Sequence, residues 1–99
     1  MVIVTGRFDV DPADREAFLA SRIEGMQRSR AEDGCITYVL AADPIEPRVV
    51  HLFERWASRE ALDAHLAGLR AATPAPPPVA ATRVELLVHE VASTSELTI

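Results

Sequence analysis

The 99 residues, 48% of them hydrophobic and 25% charged, suit one folded domain and rule out a disordered chain. A net charge of -5 argues against nucleic acid or an anionic membrane surface as partner, because both call for a basic face. The chain has no Lys, which excludes a lysine Schiff base, and its lone Cys35 excludes an intrachain disulfide.

An unpaired cysteine points to a reducing compartment. No charged segment leading into an apolar one opens the chain, and no apolar run approaches the roughly 18 residues of a membrane span. A cytoplasmic protein with no membrane partner is the expectation. A chain this short buries a modest share of its surface, so help from a second chain is expected.

Val2–Val10 reads as a first strand, with Val2, Val4, Phe8 and Val10 on one face and Gly6 between them. Asp11 is placed to cap a helix that Pro12 can enter, and Asp14 and Glu16 suit its positive end. Phe18, Leu19, Ile23 and Met26 recur at helical spacing and predict the inward face. Arg15, Arg22, Glu24 and Arg28 then fall mostly outside. Gly34 is a natural residue just past the helix end.

Cys35–Asp43 predicts the second strand and Arg48–Trp56 the third, with a Pro-bounded turn at Pro44–Pro47 between them. On the third strand Val50, Leu52, Glu54 and Trp56 share one face; Val49, His51, Phe53 and Arg55 share the other. Tyr38 is expected beside Ile36 and Leu40. Ser58 caps a second helix whose inward stripe is Leu62, His65, Leu66 and Leu69. Ala72–Thr82, rich in Pro, predicts a stiff connector. Arg83–Val91 predicts the fourth strand, with Val84, Leu86 and Val88 inward, and 92–99 is a polar tail.

The order βαββαβ with right-handed crossovers predicts an α+β, ferredoxin-like domain over residues 1–99 with a four-stranded antiparallel sheet. Both helices then cover one sheet face. The other would carry Val49, Phe53, Cys35 and Val39, an apolar patch that a face-to-face homodimer removes.

The segments "SRAEDGCITYVLAADP", "HLFERWASREALDAHL" and "VELLVHEV" resemble the antibiotic biosynthesis monooxygenase family, which includes quinol monooxygenase-like proteins. The resemblance spans Val2 to about Val91. It rests on Gly34-Cys35 with Tyr38, on Glu54-Arg55-Trp56, and on Ala61-Leu62 with His65. It implies a dimeric α+β barrel. For some members it implies oxidation of phenols or quinols by dioxygen with no cofactor.

The chain departs from that pattern in two places. Leu52 stands where the aromatic-polyketide oxygenases of the family carry an Asn four residues before the Trp. Gly6 stands where the haem-degrading relatives carry an Asn, and no His follows His65 until His89. Haem degradation is therefore not expected.

Each candidate residue has two readings. Trp56 is either core with its N–H bonded or the wall of an aromatic pocket. His65 is either a satisfied structural histidine or a general base, with Glu54 as its expected partner. Tyr38 is either a core tyrosine with its hydroxyl at the rim or a donor to a substrate oxygen. His51 and His89 lie on the opposite parity of their strands, Cys35 reads as a small hydrophobe, and no metal-ligand spacing appears.

The functional expectation is monooxygenation of an aromatic phenol or quinol without cofactor or metal. His65, Trp56 and Glu54 are then the catalytic candidates, and Tyr38, Trp56 and Leu52 the substrate contacts. Two other classes stay open: a non-catalytic ligand-binding or stress-response dimer, and a cyclase or isomerase on the same barrel.

Overall fold

The computed structural model describes residues 1–72 and 79–99. The elements run β1 (Val2–Asp9), a 3-10 turn (Pro12–Asp14), α1 (Arg15–Ser21), α2 (Ile23–Arg30), β2 (Cys35–Ala42), β3 (Val49–Trp56), α3 (Arg59–Ala71) and β4 (Arg83–Glu90). The four strands form one antiparallel sheet in the order β2-β3-β1-β4. This is the ferredoxin-like arrangement, with the helices on one face. Among the described residues no helix is long and apolar enough to cross a membrane. Part of the Ala72–Thr82 connector lies outside the described residues.

Local chemistry sets the element ends. The Asp11 carboxylate accepts from Ala13 N at 2.9 Å and opens the 3-10 turn. The Ser58 hydroxyl accepts from Ala61 N at 3.1 Å and starts α3. Gly34 adopts φ +81°, the left-handed region that closes the path from α2 into β2. A Cβ built there would stand 2.5 Å from the Ala61 Cβ, so Gly34 also lets α3 approach.

The first helical segment differs from the expected single helix. It breaks at Arg22 into α1 and α2. The break turns Ile23 outward, leaving it half exposed, while Phe18 is fully buried and Met26 partly so. Arg15 is drawn inward as well. Its Nη1 donates to the carbonyls of Asp43, Glu46 and Val49 and ties α1 to the β2–β3 loop. The Asp43 carboxylate accepts from the backbone N–H groups of Ile45 and Glu46 in the same loop. Those bonds and His51 at 2.7 Å hold its pKa well below the usual carboxylate range.

The register places Val2, Val4, Gly6 and Phe8 of β1 opposite Trp56, Glu54, Leu52 and Val50 of β3, all on the helix side. On β2 an irregularity between Cys35 and Thr37 inserts Ile36 as an extra residue. Cys35 therefore pairs with Trp56 on the helix side, and so does Tyr38 with Glu54. The sequence reading put Cys35 on the open face and grouped Tyr38 with Ile36. The bulge shifts the parity and explains both differences. Val49 keeps the parity of the open face but is buried at the loop end of β3.

The open face keeps an apolar row across all four strands, Val39–Phe53–Thr5–Leu87, among Arg7, His51, Arg55 and His89. The helices lie over β2 and β3. As a result, Val84, Leu86 and Val88 of edge strand β4 point to the helix side yet stay about half exposed, against the expectation of burial.

Two core clusters anchor the helices. Val2, Trp56 and Leu62 form one, and Val10, Phe18 and Val50 the other. Gly34→Ala is expected to destabilise the fold by at least about 1–2 kcal/mol through the left-handed backbone alone, with the Ala61 clash added. Gly68→Ala, on α3 with open space around it, is expected to stabilise by roughly 0.5–1 kcal/mol. Urea unfolding midpoints should move in opposite directions for the two variants.

Candidate active site between the sheet and the helices

The two clusters sit at opposite ends of the sheet's helix side. At the middle of that face Gly6 brings no side chain, and Leu52 and Leu86 close over it. A cavity of about 380 Å³ remains there, lined by Tyr38, Leu52, Glu54, His65, Leu66 and Arg22 among others. This volume suits a small ring system, and the lining is apolar with a few polar tips.

His65 is the inward residue of α3 with the most chemistry. It is 3% exposed and, among the described residues, makes its one close polar contact through Nδ1, 2.9 Å from Glu32 Oε2. A carboxylate only accepts, so the proton of the neutral ring sits on Nδ1. Nε2 is left as an unprotonated base. Glu54 Oε1 lies 4.0 Å from that Nε2, too far for a hydrogen bond. The expected Glu54–His65 bond is therefore replaced by Glu32–His65. Glu32 comes from the exit of α2, where a run of polar residues carries no pattern that would single it out.

Glu54 answers instead to Trp56. Both point to the helix side of β3, and Trp56 Nε1 donates to Glu54 Oε1 at 2.9 Å. Trp56 has no exposed surface. Its ring packs against His65 at 4.7 Å between centroids, tilted by 35°. Tyr38 meets the same imidazole edge-on at 5.6 Å. Tyr38, Glu54 and His65 thus converge on the cavity. Leu52 forms its wall, and Trp56 stands behind His65 rather than at the surface.

Burial shapes the acidities. It pushes the Tyr38 phenol up to about 12, with the nearby Glu54 charge adding to the effect. It also raises Glu54, against the opposing Trp56 hydrogen bond. The Cys35 thiol is raised by the same desolvation, with the charges of Glu32 and Glu54 adding to it. Among the described residues no group of three His, Cys, Asp or Glu side chains is placed to hold a metal ion.

The model of the family described as antibiotic biosynthesis monooxygenase matches residues 1–72, a stretch that holds β1 through α3 and every cavity residue named so far except those of β4. The chain belongs to the antibiotic biosynthesis monooxygenase family. Among solved structures, Rv0793 from Mycobacterium tuberculosis is 32% identical, with 96% of this chain and 98% of that one covered and a TM-score of 0.71. A candidate antibiotic biosynthesis monooxygenase from Deinococcus radiodurans superposes with TM-score 0.81 over 99% of each chain, at 20% identity, and so shares the fold. The uncharacterised protein sll1783 of Synechocystis is 38% identical over 64 residues, which are 65% of this chain and 44% of that protein. The chain thus spans less than half the length of this curated relative.

In this family member a buried carboxyl with raised pKa makes a sign prediction. Such a group disfavours its own ionised form in the fold. The stability it supports is complete below its ordinary value of 4.5 and is lost as pH rises through the raised value. Glu54→Gln keeps an oxygen for Trp56 and removes the charge. It is expected to melt higher than wild type at pH 7, with the gap closing toward pH 4. A lower melting temperature at pH 7 would show that the carboxylate charge is needed.

Proposed function

We propose that this cavity is the active site of a cofactor-independent monooxygenase acting on an aromatic phenol or quinol. The observation that carries the reading is a single geometry: an imidazole, nearly fully buried, with its Nδ1 held by Glu32 and its Nε2 free beside an apolar, ring-sized space. A neutral His so oriented is a general base for a phenolic proton. Tyr38 and Leu52 contact the ring plane. Trp56 and Glu32 are positioning residues that hold the imidazole from behind and from the side.

The chemistry needs little more from the protein. Nε2 takes the hydroxyl proton, and the resulting phenolate gives one electron to dioxygen. The radical pair combines at the carbon para to the oxygen. Nε2 returns its proton to the peroxide so formed, and the O–O bond breaks as the ring carbon loses its hydrogen as a proton. One oxygen atom stays as the quinone carbonyl and the other leaves as water. The electrons balance for a phenol plus dioxygen going to a quinone plus water, with no outside reductant. The apolar walls exclude water and raise the energy of the solvated phenolate relative to the spread charge of the radical pair.

A homodimer forms part of the proposal. The row Val39–Phe53–Thr5–Leu87 and the doubly exposed β4 support it, because a lone protomer would leave both wet. A second reading, a ligand-binding dimer without turnover, is favoured by Leu52 standing where the polyketide oxygenases of the family carry an amide.

Oxygen uptake with a panel of naphthols and anthrones separates the readings. We expect His65→Ala to lower the rate by about 100-fold or more, as removal of a general base does. Trp56→Phe should lower it less, through the loosened ring. Binding of the panel without oxygen uptake by wild type would leave the ligand-binding dimer, and equal rates in all three proteins would remove His65 from the mechanism.

A further inference from the structure

Arg22 occupies a place that its position on a polar helix face does not explain. It sits at the break between α1 and α2 with φ -99° and ψ -6°, which swings its side chain toward the sheet. Its guanidinium carbon lies 4.7 Å above the Phe18 ring centroid, and Phe18 is fully buried. The Nε is buried and has no hydrogen-bond partner among the described residues. Among those residues no carboxylate stands within ion-pair distance of it.

A guanidinium remains charged at any working pH, so a buried N–H of that group without an acceptor is costly. Arg22 lines the cavity and also the adjoining opening under α2, which shares Phe8, Tyr38, Leu52 and Leu69 with it. Arg59, another cation at the cavity wall, is already committed to Asp63 at 3.1 Å. Arg22 is the cavity cation that lacks such a partner among the described residues. Its charge reaches the Tyr38 phenol, where it opposes the upward push of burial.

We infer that Arg22 is the anion-recognition residue of this cavity, and that the ligand is an aromatic ring bearing a carboxylate. The planar fork matches a carboxylate, and stacking on Phe18 fixes the plane of the fork before the ligand arrives. The polar tips then divide the ligand between them. His65 and Glu54 face the hydroxyl that loses its proton, while Arg22 takes the acid. The inference rests on the reading of the cavity as a site for aromatic ligands, and the experiment keeps the two apart.

Isothermal titration with 2-naphthoate and its neutral counterpart 2-naphthamide, on wild type, Arg22→Gln and Arg22→Lys, provides the test. Wild type is expected to bind the acid at least about ten-fold more tightly than the amide, as a charge-assisted pair in a desolvated site does. Arg22→Gln should bind acid and amide with equal affinity, and Arg22→Lys should keep part of the preference. Equal affinity for acid and amide in wild type would overturn the role of Arg22 and leave the aromatic site standing. Binding of neither probe to wild type would overturn both. Should Arg22→Gln fail to fold, the acid-to-amide ratio of wild type decides, together with its fall as salt is raised.

Discussion

A buried carboxylate sets the terms for the interior of this protein. Glu54 is held on the floor of the sheet at 5% exposure, where an unsatisfied charge would be expensive. Trp56 satisfies one of its oxygens from two residues along the same strand, because side chains two apart share a face. The indole that makes this bond must then lie flat under α3, and it becomes the surface against which His65 packs. The imidazole is turned so that Glu32 takes its Nδ1. One polar group that had to be satisfied thus orders two rings and leaves one nitrogen unoccupied.

The empty space in front of that nitrogen has a separate cause. The helices settle over β2 and β3, and the two core clusters they form lie at the ends of the sheet. At Gly6, in the middle of β1, Leu52 and Leu86 close over the backbone, and the space lies between them and Tyr38, Glu54 and His65. A Cβ at position 6 would meet Leu86 at 2.8 Å and Leu52 at 3.0 Å, so the close approach of those two side chains to β1 depends on that glycine. The same layout leaves β4 uncovered. The feature that opens a pocket also leaves an edge in want of a partner.

Much of the frame was legible in the sequence. Caps at Asp11 and Ser58, the glycine at 34 and the alternation of Val50, Leu52, Glu54 and Trp56 depend on neighbours within a few residues, and such signals survive without knowledge of the rest of the chain. The inward stripe of α3 was read correctly down to Leu66. Readings failed where a single local event changed the parity or direction of what followed. The extra residue Ile36 moved Cys35 to the helix side. The break at Arg22 turned Ile23 outward and swung an arginine toward the cavity. Neither event has a signature in composition or period.

By itself, the sequence determined the order of strands and helices, the ferredoxin-like sheet, and the presence of Tyr38, Glu54, Trp56 and His65 on faces that turn inward. Periodicity carries that information because it repeats along the chain. Only the tertiary structure decided that Glu32 and not Glu54 bonds His65, that Trp56 backs the site instead of lining it, and that Arg22 enters the cavity. Those outcomes hinge on distances of an ångström or two between residues far apart in the chain. The packing of all the elements together sets such distances, and no segment alone does.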